Sequence, residues 1–83
     1  MNYSFSKHAK EQIKRRQLSW QIIANTIEDP DSIIVKEQCV KVFQKVVIEN
    51  NIKYLYRVFI NHCKEPSLVI TCYKTSKTGK YED

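Results

Sequence analysis

Four side chains in this sequence have the chemistry to handle a phosphate: Arg57, His8, Tyr73 and Thr71. A guanidinium grips a phosphate through paired hydrogen bonds and stays charged at any working pH. An imidazole exchanges a proton near its ordinary pKa of about 6.5. The Tyr73 phenol donates a proton or stacks on a base, and the Thr71 hydroxyl adds a further donor. Together they meet the needs of RNA cleavage by attack of its own 2′-OH on the next phosphate. That reaction takes a base for the 2′ proton, charge or donors around phosphorus, and an acid for the leaving 5′ oxygen. It calls for no cofactor and no metal, and the sequence has no carboxylate cluster to hold one. Lys7, Arg15, Lys53, Lys74, Lys77, Lys80 and Tyr81 are the expected RNA contacts around this set. An ordinary basic sheet surface made of β-favouring Thr and Tyr has the same composition, so pattern alone leaves the two readings level.

These residues need strands and a helix to position them. In the last strand, Ser67 to Thr75, side chains alternate faces with period two. Val69, Thr71, Tyr73 and Thr75 are expected on the chemical face, with Leu68, Ile70 and Cys72 in the core and Lys74 following them. The preceding strand, Ile52 to Ile60, places Ile52, Tyr54, Tyr56, Val58 and Ile60 on one face and Lys53, Leu55, Arg57 and Phe59 on the other. With the turn at Asn61–Pro66, pairing Ile60 with Leu68 sets Arg57 opposite Thr71; a one-residue slip would change the faces.

Upstream, Ser32 to Gln38 and Val40 to Glu49 read as two more strands, the second with Val40, Val42, Val46 and Ile48 on one face. Asn50-Asn51 is a tight turn, because asparagine tolerates positive φ. The N-terminal part has helical period instead. Ser6 caps a helix from Lys7 to Arg16 with Phe5, Ala9 and Ile13 as its buried stripe. Ser19 caps a second, with Leu18 and Ile23 as a hydrophobic staple and Trp20, Ile23, Ala24 and Ile27 facing the core. Pro30 ends it. His8 and Arg15, seven apart, nearly superimpose on the first helix, so both can face one phosphate.

The expected architecture is α+β: two N-terminal helices packed on a four-stranded antiparallel sheet, with residues 1–83 as one domain. The pattern also accommodates a short extra strand at Tyr3 to Phe5. A net charge of +5 favours a polyanionic partner. Cys39, Cys63 and Cys72 lack paired or zinc-binding spacing and read as free thiols of a reducing cytoplasm. No signal peptide and no apolar stretch long enough to span a membrane is seen, so the expected location is cytoplasmic and no membrane partner is expected.

The order of Ser6-Lys7-His8-Ala9, Arg15-Arg16-Gln17-Leu18-Ser19, Tyr56-Arg57-Val58 and Val69-Ile70-Thr71-Cys72-Tyr73-Lys74-Thr75 resembles a small bacterial family of unknown function grouped with the RelE/ParE-like toxins. The likeness runs from about Phe5 to Tyr81. It implies a compact RelE-like toxin domain, cleavage of RNA (free or ribosome-associated) and a cognate antitoxin protein as partner. It implies His8, Arg57, Thr71 and Tyr73 as the residues to follow. ParE-like members act on gyrase instead, so the alternative is a non-catalytic basic module that binds or inhibits a protein or nucleic acid.

Overall fold

The structure is a computed structural model and describes residues 3–77. Strand β1 (Tyr3–Phe5) leads into helices α1 (Lys7–Arg15) and α2 (Trp20–Glu28), followed by β2 (Ser32–Val35), β3 (Val40–Glu49), β4 (Ile52–Asn61) and β5 (Ser67–Thr75). The sheet has five strands in the order β1-β5-β4-β3-β2, with β1 parallel to β5 and the other pairs antiparallel. The expected four-stranded antiparallel sheet is therefore corrected to a five-stranded mixed one. The added strand follows from Tyr3 and Phe5, which alternate inward and pack against the core while Ser4 stays exposed.

Ser6 joins this strand to the first helix. Its Oγ accepts from Ala9 N at 3.0 Å and donates to Ile70 O at 2.7 Å, while its backbone N–H donates to Val69 O at 2.9 Å. One residue thus caps α1 and fastens it to β5. Ser19 caps α2 in the same way, accepting from Ile22 N, and Leu18 and Ile23 behind it are both buried. Positive φ at Gln17 closes the turn between the helices, and at both Asn50 and Asn51 it closes the β3–β4 hairpin, as that asparagine pair led us to expect.

Both helices pack on one face of the sheet. Ala9, Ile13, Ile23 and Ile27 form a core with Tyr56, Val58, Ile60, Val69 and Cys72. Alternation then sends Lys53, Leu55, Arg57 and Phe59 of β4 to the opposite face. That face is partly packed: Val42, Gln44 and Leu55 are buried on it.

The last strand departs from simple alternation. Phe59 pairs with Thr71 and Ile60 with Val69, so Ile70 has no partner and forms a bulge. The bulge shifts the phase: Val69, expected on the chemical face, joins Cys72 in the core. It also moves the register by one residue, and the pairing of Ile60 with Val69 in place of Leu68 moves it by another, so Arg57 stands opposite Tyr73 where Thr71 was expected. Trp20, expected in the core, is 52% exposed and touches Phe5 edge-on at 5.0 Å between centroids. It is the first residue of α2 and lies at the rim of the packed layer.

Cys39 and Cys63 form a disulfide with Cα atoms 5.3 Å apart, contrary to the expectation of three free thiols. Folding brings the β2–β3 and β4–β5 connections side by side, a proximity that residues 24 apart in sequence do not reveal. Cys72 is free and buried, as expected. Among the described residues, no helix is long and apolar enough to cross a membrane.

Candidate functional site

The sheet face away from the helices centres on Arg57. It occupies β4 with Gln44 of β3 on one side and Tyr73 of β5 on the other. Arg57 Nε donates to Gln44 Oε1 at 2.7 Å, and Nη1 donates to the Tyr73 hydroxyl at 2.6 Å. Gln44, only 3% exposed, in turn donates from Nε2 to Ser32 Oγ at 3.1 Å. A chain of side-chain hydrogen bonds therefore crosses four strands, from the β2 edge to β5. Aromatic rings flank the cation: the guanidinium carbon is 5.4 Å from the Phe59 centroid and 5.8 Å from that of Tyr73. Lys36 Nζ approaches the same Phe59 ring at 5.9 Å.

This arrangement holds a half-buried guanidinium in one orientation before any ligand arrives. Such preorganisation makes a fixed charge effective at a developing anion, because little reorganisation remains to be done. Since Tyr73 accepts from Arg57, its own hydroxyl hydrogen stays disposed for a ligand oxygen. Phe59 and Tyr73, 6.1 Å apart with planes 33° from parallel, add apolar surface against which a base can rest.

The expected site residues divide between two faces. Thr71 lies on the Arg57 face, opposite Phe59, and Lys53 lies on it further along β4, opposite Ile48. His8, Lys7 and Arg15 are exposed on α1, which packs on the other side of the sheet. His8 is therefore not brought together with Arg57, Thr71 and Tyr73. Lys77 is exposed just past β5. Lys80 and Tyr81 lie outside the described residues.

Lys74 belongs to a separate cluster on the helix-bearing face. Its Nζ is 3.0 Å from Glu49 Oε1, the same oxygen that accepts from the Tyr56 hydroxyl at 2.9 Å. It also sits 4.4 Å above the Tyr54 centroid. Burial tends to raise the Glu49 carboxyl, but hydrogen bonds from Lys74 and Tyr56 outweigh it and leave the pKa lowered. Burial, followed by the bond to Glu49, pushes the Tyr56 phenol well above its ordinary value. Lys74 is thus engaged in holding the hairpin end of the sheet.

Sequence reasoning missed Gln44, Ser32 and Phe59. Gln44 did carry a signal: it interrupts the apolar row Val40, Val42, Val46, Ile48, and a polar residue in such a row needs a partner. Among the described residues, no group of three His, Cys, Asp or Glu side chains is placed to hold a metal ion.

Fold and site together define a small α+β domain whose sheet is helix-covered on one face and carries a braced arginine on the other. Residues 5–74 match the family described as Domain of unknown function (DUF4258), and the chain belongs to that family. No significant match is found among curated proteins or among solved structures.

Proposed function

We propose that this chain is a RelE-like toxin of a toxin–antitoxin pair and cleaves RNA on the sheet face away from the helices without a metal. The observation that carries the reading is the Arg57 guanidinium, braced by Gln44 and Tyr73 beside two aromatic rings. In the reaction, the 2′ oxygen bonds to phosphorus and the bond to the 5′ oxygen breaks. Arg57 meets the charge that gathers on the phosphoryl oxygens, and the Tyr73 hydroxyl supplies a proton to the departing 5′ oxygen. The 2′ proton passes to solvent, and the products are a 2′,3′-cyclic phosphate and a 5′-hydroxyl end.

A second reading has one specific observation in its favour. Among the described residues, the strand positions of the Arg57 face carry no histidine and no carboxylate, and His8 is across the sheet. A basic module that binds RNA or protein without turnover needs neither. Labelled RNA incubated with purified protein in EDTA separates the two: cyclic-phosphate ends that vanish in Arg57→Ala support cleavage, and intact RNA held by the protein supports binding alone. Intact RNA left unbound overturns both nucleic-acid readings.

The same proposal includes a cognate antitoxin that covers the Arg57 face, and a cytoplasmic location. The Cys39–Cys63 bond runs against that location, because such bonds persist chiefly in oxidising compartments. A free-thiol count on protein taken rapidly from cells tests it: three free thiols fit the cytoplasm, and one does not.

A further inference from the structure

We propose that the chain forms a two-fold dimer by antiparallel pairing of β2 with β2 of a second copy. Among the described residues, β2 is an edge strand, paired only with β3. Lys36 N donates to Val40 O at 3.0 Å, and the register pairs Ile34 with Val42 and Ser32 with Gln44. The backbone groups of Ser32, Ile34 and Lys36 therefore turn inward, and those of Ile33 and Val35 turn outward. Side chains at this edge are apolar on both faces, with Ile33 48%, Ile34 42% and Val35 70% exposed. Natural edges are blunted by lysine, proline, a bulge or a covering element, and β2 contains none of these devices within its four residues.

Geometry selects the register. An axis perpendicular to the sheet joins two such edges and pairs residues that point to the same face. With Ile34 opposite its own copy, Ile33 and Val35 of the two chains exchange backbone hydrogen bonds on either side of the axis. Centring on Ile33 would instead require an outward Asp31 N–H, which is already bound to Gln44 O at 2.7 Å.

Charge favours a second copy as the occupant. Asp29 and Asp31 lie at the leading end of β2, where Lys45 Nζ approaches both and leaves one net negative charge, and Lys36 and Lys41 lie at its trailing end, so antiparallel pairing brings unlike ends together. Glu37, beyond Lys36, stands opposite Asp31 of the other copy in this register, and that like-charged pair offsets part of the attraction while leaving one net positive charge at the trailing end. Lys36 of each copy then stands opposite Ser32 of the other, at the outer end of the hydrogen-bond chain that braces Arg57. The two Arg57 faces become one side of a continuous sheet.

Light scattering coupled to gel filtration tests this over a dilution series, with single-cysteine probes for register. The expected mass is twice 9.9 kDa. Val35→Pro, which removes an outward N–H and leaves the bonds to β3 intact, should halve that mass. Ile34→Cys should form an intermolecular disulfide, because Cα atoms in such a non-hydrogen-bonded pair lie about 4.5 Å apart. Ile33→Cys should not. A wild-type monomer at every concentration overturns the proposal, as does a monomer that takes a foreign strand on β2. A dimer that survives Val35→Pro, or that links through Ile33→Cys instead, also overturns it. Should Val35→Pro fail to fold, the two cysteine variants decide alone.

Discussion

Arg57 and Tyr73 face each other across β4 and β5, joined by a 2.6 Å hydrogen bond from Nη1 to the phenol oxygen. The bond makes one unit of a permanent cation and a hydroxyl that still has a proton to give. For Arg57→Ala, cleavage should fall by about 10²–10³, the effect of losing one preorganised donor. The fold should also weaken by roughly 1–3 kcal/mol, because buried Gln44 Oε1 loses its partner. Single-turnover cleavage and urea unfolding of the same variant measure the two effects; an unchanged rate would remove Arg57 from the reaction.

Tyr73→Phe separates the hydroxyl from the ring. The Phe59 contact is kept, so RNA affinity should hold while the cleavage rate drops. A loss of affinity with the rate at saturation unchanged would assign Tyr73 to binding only.

His8→Ala should leave both rate and pH profile as they are, since His8 is exposed on the helical layer across the sheet from Arg57. Lys77→Ala should weaken RNA binding modestly and in a salt-dependent way, because an exposed lysine supplies a screened charge. A flattened pH–rate profile in His8→Ala would place the reaction elsewhere than the Arg57 face.

Glu49 should make the fold acid-sensitive. Its folded pKa is lowered, so its contribution is complete above the unfolded carboxylate value of about 4.3 and is lost as pH falls through the folded value. Lys74→Met removes one cause of the lowering and leaves burial to act, so acid unfolding should begin at higher pH. A circular-dichroism titration of both proteins checks this; coincident curves would show that the pair contributes nothing.

Cys39→Ser should destabilise the protein by about 3 kcal/mol, the loop-closure effect for cysteines 24 residues apart. Reduction of the wild type should give the same loss in urea unfolding. Cys72 behaves differently: burial pushes its thiol up to about 11, so it should resist alkylation until the chain unfolds. Prompt labelling of Cys72 in the folded protein would contradict its place in the core.

Local chemistry made much of this molecule legible in advance. Ser6 and Ser19 cap helices wherever a helix follows them, Asn50-Asn51 adopts positive φ for its own steric reasons, and the alternation of Ile52 to Ile60 needs only the pleat of a strand. Thr71 and Tyr73 therefore fell on one face by parity, whereas Arg57 joined them because two one-residue register shifts, at the turn and at the bulge, cancel in phase. Tertiary structure decided whatever depends on which distant segments meet. The bulge at Ile70, together with the turn that set Ile60 opposite Val69, paired Arg57 with Tyr73 and buried Val69. Tyr3–Phe5 became a strand because β5 offered it a parallel edge. Cys39 reached Cys63 through two connections folded side by side. Packing both helices on one face left His8 and Arg57 on opposite sides of the sheet, a separation that helical and strand periodicities, each confined to its own segment, have no means of encoding.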